Sequence, residues 1–194
     1  MLLSVTGLAV EVEIQKMLTS THIEKWLQQD VFHFKWWFLL GLFTLTIVLW
    51  WKLLNKTRIP EVLLYTVLAT IVMMGIDECS EELILWVYPI YLFPVFPVIT
   101  AINLLFVPLA LSLTYQNFPT WKGFGSAAII IAGLLSFIFE PALAWADFYL
   151  LLNWNYGYSF LLYISVALVI RGAVVLIFSI AENAQRHANE GGNT

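Results

Sequence analysis

The chain has 194 residues, of which 61% are hydrophobic and only 11% charged, and its mean hydropathy is +0.84. That leaves too little polar surface to cover a soluble globule of this size, so the composition describes one polytopic, all-α membrane domain. The net charge of −4 is spread over two flanks and a few loops with no basic stripe, which argues against nucleic-acid partners.

Residues 1–35 precede the first span. Met1 to Val10 is apolar but lacks a cationic start and a small-residue cleavage site, so a removed signal peptide is not expected. Val12 to Asp30 mixes charges with Met17, Ile23, Trp26 and Leu27, which suggests an amphipathic helix lying at the outer interface or binding a partner.

A crossing needs about 20 apolar residues, since roughly 30 Å of hydrocarbon is spanned at about 1.5 Å per residue. Residues 36–54 meet this, framed by Lys35-Trp36-Trp37 and Trp50-Trp51-Lys52, an aromatic belt with a snorkelling lysine at each interface. A short basic loop leads to Pro60, placed to start a second span over 60–77. Asp77, Glu78, Glu81 and Glu82 follow, with the single cysteine, Cys79, among them as a small packing residue. Leu83 to Tyr115 is too long for one crossing and short for two, and Pro89, Pro94 and Pro97 fall early in it. A Pro-broken or re-entrant segment and then a third crossing over 98–115 are expected, with spans at 124–145 and 158–180 to complete five. The polar tail, 182–194, is expected to be mobile.

Five crossings put Lys52, Lys56, Arg58, Lys122 and Arg186 on one side, and Lys16, Lys25 and Lys35 on the other among acids. By the positive-inside rule the N-terminus is outside and the C-terminus cytoplasmic, in the plasma membrane.

Ionisable residues inside spans are functional candidates by default. Asp77 is seventeen residues past Pro60 and Glu140 sixteen past Phe124, so both lie about 24–26 Å from the cytoplasmic interface. Two carboxyls at one depth could line a cavity, where a neutral acid can donate a proton, bind a cation or cap a helix end. An acid near an interface can also simply reach water, and Glu140-Pro141 can simply mark a kink. Arg171 is thirteen residues into the last span, about 20 Å below its outer end and too deep to pair directly with Glu140. Snorkelling beside Asn103 or holding a substrate phosphate are its two readings. Trp86, Tyr88, Tyr91, Trp145, Tyr149, Trp154, Tyr156 and Tyr158 share the outer level, where such rings anchor at headgroups or could wall a pocket for an isoprenoid cation. Gly125, Ala127, Ala128, Ala132 and Gly133 could pack inside the monomer or against a second copy. The three histidines lie in the flanks without metal-ligand spacing, and there is neither a phosphate-binding glycine loop nor a nucleophile elbow. No cofactor or metal is expected.

Several strings together resemble an uncharacterised family of small multi-pass membrane proteins of Bacillus and other spore-forming Firmicutes. They are Trp50-Trp51-Lys52-Leu53 with Lys56-x-Arg58, then Asp77, then Leu85-Trp86-x-Tyr88-Pro89. Tyr115-Gln116-x-Phe118-Pro119-x-Trp121-Lys122-x-Phe124, Phe139-Glu140-Pro141 and Trp154-x-Tyr156-x-Tyr158-Ser159-Phe160 continue the likeness. It covers roughly Trp36 to Val175, departing where family members often carry a glycine and this chain reads Glu78-Cys79-Ser80. It implies a five-helix integral membrane protein of a Gram-positive cell and brings no reaction with it. Two classes of function stay open. One is a non-enzymatic envelope or sporulation-associated protein with a membrane-protein partner. The other is a small intramembrane enzyme or carrier for a lipid or isoprenoid, analogous to membrane terpene cyclases, with Glu140 or Asp77 as its acid.

Overall fold

The structure, a computed structural model, describes residues 2–94 and 106–191. It is mostly helical. Helix α1 (Leu2–Lys25) runs into a π-turn (Trp26–Asp30), and α2 (Phe34–Leu53) leads through a 3-10 turn (Lys56–Arg58) to α3 (Ile59–Glu82). A two-residue strand, β1 (Trp86–Val87), pairs antiparallel with β2 (Leu150–Leu151). Between them in sequence lie α4 (Val107–Asn117), α5 (Trp121–Leu134), a π-turn (Leu135–Phe139) and α6 (Glu140–Trp145); α7 (Tyr156–Gly191) closes the chain. Among the described residues four helical stretches are long and apolar enough to cross a membrane: Phe34–Leu53, Lys56–Glu82, Trp121–Trp145 and Tyr156–His187.

The bundle has an acidic end and a basic end. At the basic end the Asn55 side chain accepts from Thr57 N at 3.1 Å, which turns the chain, and Pro60 opens α3 where no N–H is needed. From there Val62, Tyr65, Ala69 and Met73 recur at helical spacing and face Leu111 and Tyr115 of α4 and Tyr163, Ala167, Ile170 and Val174 of α7. Ala128 and Ala132 are fully buried and Ala127 is buried, so the alanines of α5 pack inside the monomer and let α7 approach closely, whereas a Cβ at Gly125 would meet nothing within 4 Å.

Three elements differ from their sequence expectation. Helix α1 starts at Leu2 rather than near Val12, and its apolar residues circle the helix instead of forming one stripe. The cause is the run Val10-Glu11-Val12-Glu13-Ile14, whose period of two does not match 3.6 residues per turn. Helix α7 continues past Ile180 to Gly191, because the polar stretch after Ile180 is rich in Ala, Glu, Gln and Arg and meets no helix breaker before the glycines. Cys79 is exposed rather than packed. The broken segment expected before the third crossing is non-helical, apart from β1, from Leu83 to Pro94; residues 95–105, with Pro97, Asn103 and the first part of the crossing expected over 98–115, lie outside the described residues.

Candidate functional site

Glu140 opens α6 just after a π-turn, and its own N–H bonds back five residues to Leu135 O. Pro141 follows and has no N–H to give, so a carbonyl of the Ser136–Phe137 pair loses its helical donor. The Glu140 side chain is buried, 5% exposed, and faces α7, where the Tyr163 hydroxyl donates to Oε1 at 2.6 Å. The Ser159 hydroxyl, one turn earlier on α7, stands beside the same carboxyl and accepts from Trp154 Nε1 at 3.0 Å. Oε2 has no hydrogen-bond partner among the described residues, and neither has the hydroxyl of Ser136, one turn before Glu140 and fully buried.

Asp77 is linked to Glu140 through a chain of contacts: Ser159, beside Glu140, accepts from Trp154, whose ring meets that of Trp86, a donor to Asp77. Its Oδ1 accepts from Trp86 Nε1 at 3.3 Å and from the Tyr88 hydroxyl at 3.1 Å. The β1–β2 pairing brings those two residues there, by tying the chain after α3 to the chain before α7. Tyr149 then packs its ring against Tyr88 at 5.6 Å and Trp86 at 6.4 Å, and Trp154 meets Trp86 at 5.2 Å. Burial pushes the phenols of Tyr88 and Tyr149 well above their ordinary value, so both keep their protons at any physiological pH.

Of the residues singled out in the sequence, Asp77, Glu140, Trp86, Tyr88 and Trp154 come together. Trp145 does not: it is 89% exposed. Tyr158 touches the cluster only by its ring, 5.2 Å from Trp154, and is half exposed. Tyr163, Ser159 and Ser136 were missed, although Ser159/Tyr163 and Ser136/Glu140 are both i, i+4 polar pairs on otherwise apolar helices.

Arg171 belongs to the other end. It is 3% exposed, its Nη1 donates to Phe118 O at 2.8 Å and its Nη2 to Pro119 O, and its guanidinium lies 4.5 Å from the Phe124 ring centre and 4.9 Å from that of Trp121. It therefore caps the loop after α4, where a cation complements the helix dipole. Around it Arg58 grips Glu61 with two bonds of 2.9 Å, the Tyr115 hydroxyl donates to Glu61, and Gln116 joins Leu53 O to Asn55 N at 2.9 Å each. Tyr65 stacks on Tyr115 at 4.6 Å and donates to Ala167 O at 3.2 Å.

Beyond the acids, a groove of about 530 Å³ lies between α1 and the end of α3, lined among others by Leu18, His22, Glu78, Glu81, Glu82 and Tyr91. Lys25 Nζ closes its base by donating to Pro89 O at 2.7 Å, and Trp26 Nε1 donates to Tyr91 O at 3.1 Å. Among the described residues no three His, Cys, Asp or Glu side chains gather as a metal site. No family model, curated protein or solved structure matches the chain, so the site rests on its own geometry.

Proposed function

We propose that the chain is a non-enzymatic, five-span protein of the plasma membrane, with its N-terminus outside and its C-terminus cytoplasmic, and that it serves the cell envelope by presenting its acidic end to a membrane-protein partner. One observation carries the reading. Each ionisable residue singled out inside an apolar helix bonds to a different part of the same chain: Asp77 of α3 to the β1 segment, Glu140 of α6 to α7, and Arg171 of α7 to the α4–α5 loop. Polar residues used in this way hold helices together. The fifth crossing is supported by the path of the chain. It leaves the acidic end at Leu92, whose carbonyl accepts from Trp36 Nε1 at 3.2 Å, and reaches the basic end at Gln116 beside Arg58. The likeness to membrane proteins of spore-forming Firmicutes agrees with an envelope or sporulation role.

A second reading has its own support. An apolar groove of about 340 Å³, lined by Phe106, Ala110, Ile131, Leu135, Phe139 and Ala142 among others, runs along the stretch that carries Glu140. A lipid or isoprenoid tail in it would lie one residue from a buried acid, as a processing enzyme or carrier requires. Lipid and metabolite profiles of cells expressing the wild type and Glu140→Gln separate the two. Identical profiles, with both proteins folded in detergent, are expected. A lipid species made only with the wild type would replace the first reading by the second. Reporter fusions after Leu54, Ile84, Pro119 and Asn153 test the topology, with alternating sides expected.

A further inference from the structure

Two buried oxygens without partners among the described residues lie one turn apart on the same buried face: Ser136 Oγ, in a residue with no exposed surface, and Glu140 Oε2, in a residue 5% exposed. The turn between them is π-helical and ends at Pro141, so it also holds a backbone carbonyl without its helical donor. The Tyr163 and Ser159 hydroxyl oxygens stand on α7 opposite. The polar side chains that these observations place at this turn, Ser136, Glu140, Ser159 and Tyr163, are therefore all hard oxygen donors. Charge balance narrows the occupant. Glu140 has no ion-pair partner among the described residues, Arg171 is committed at the basic end, and Asp77, which accepts from Trp86 and Tyr88, is a second acid rather than a cation. A Glu140 carboxylate buried in a helix that crosses hydrocarbon calls for a positive charge beside it. Interrupted membrane helices hold monovalent cations with this donor set, carboxyl, hydroxyl and freed carbonyl together.

We propose that the Ser136–Glu140 turn is an intramembrane site for a single sodium ion, which binds Glu140 Oε2, Ser136 Oγ and the freed carbonyl and displaces the carboxyl proton. This goes beyond a bundle-holding role and does not depend on it. A Glu140 that only carries a proton and bonds Tyr163 would still hold α6 to α7.

The test uses the full chain in nanodiscs and dicyclohexylcarbodiimide, which modifies protonated carboxyls in apolar surroundings. Peptide mapping by mass spectrometry locates the adduct. At constant ionic strength, with choline chloride as the replacement salt, sodium is expected to protect Glu140, slowing modification roughly tenfold at ten times its Kd. It is also expected to raise the midpoint of thermal unfolding. Ser136→Ala keeps the Tyr163 bond to Glu140 and the adduct, but needs far more sodium for the same protection. Glu140→Gln loses the adduct and the sodium-dependent thermal shift together. If sodium and choline give the same modification rate and the same unfolding midpoint, Glu140 is a protonated structural acid and the proposal is wrong. Protection that Ser136→Ala leaves unchanged would overturn the assigned ligands.

Discussion

The two ends of the bundle handle buried polarity in opposite ways. At the basic end charge is met locally: Arg58 meets Glu61, Arg171 meets two carbonyls, and Tyr115, Gln116 and Asn55 join the network, although Arg171 Nε has no hydrogen-bond partner among the described residues. At the acidic end the carboxyls of Asp77 and Glu140 meet neutral donors, tyrosines and tryptophan, an exposed Lys35–Asp147 pair lies at 3.4 Å, and buried oxygens are left over. The backbone shows the same contrast. The three non-glycine residues with left-handed φ among those described, Phe32 at 65°, Ile84 at 54° and Asp147 at 57°, all lie in turns of the acidic end. Left-handed turns and most of the unpartnered buried oxygens among the described residues thus gather at the acidic end, whereas the basic end carries the denser hydrogen-bond network.

Breaking that network should cost most. Arg171→Ala removes two charged hydrogen bonds and the packing against Phe124 and Trp121, and is expected to lower stability in mixed-micelle unfolding by about 3–5 kcal/mol. Arg171→Lys should recover less than half of this, because an ammonium cannot fork to two carbonyls. A loss near zero would mean that the basic end is not what holds the bundle.

At the acidic end, Tyr163→Phe takes the one donor from Glu140 Oε1 and should cost about 1–3 kcal/mol in the same assay. An effect equal to that of Arg171→Ala would erase the distinction between the ends. Ile84→Gly should act with opposite sign, since it relieves a β-branched, exposed residue of a left-handed turn, and raise stability by about 1 kcal/mol.

The smallest effect concerns Asp30, which precedes the first span. Burial raises its carboxyl above the ordinary value of 3.8, with Lys25, the Tyr91 amide and His33 working against the shift without reversing it. A folded-state value above the unfolded one means that the docked state binds its proton more tightly, so docking weakens as pH rises from 3.8 through the raised value and is flat beyond it. Exchange of the Val31 amide, which bonds to Trp26 O at 2.8 Å, should follow that curve, and Asp30→Asn should flatten it.

What the sequence makes legible follows from what each signal measures. The long apolar runs and their flanking Trp and Lys declare the four described helices long enough to cross, and a carboxyl inside such a run stands out by residue type alone. Depth says nothing of rotation. Each residue turns a helix by about 100°, so the pairing of Glu140 with Tyr163 rather than with a lipid depends on packing between helices that are distant in sequence. Tyr115 and Tyr65 are likewise set by packing: both are buried in the core, where their hydroxyls reach Glu61 and Ala167 O. Helix α1 misleads for a different reason: its mixture of charged and apolar residues is amphipathic in composition but not in period.

The hold of Arg171 on the loop after α4 also bears on how the protein is made. Its carbonyl partners at Phe118 and Pro119 emerge from the ribosome more than fifty residues before it, and Tyr65 waits one hundred and two residues for Ala167. Until α7 enters the bilayer, the Tyr65 hydroxyl lacks this partner and the loop carbonyls are left to water, so the earlier helices are not yet tied together by these bonds. The last helix is thus the keystone of biogenesis, and a nascent chain stopped before it would remain with the insertion machinery or be degraded.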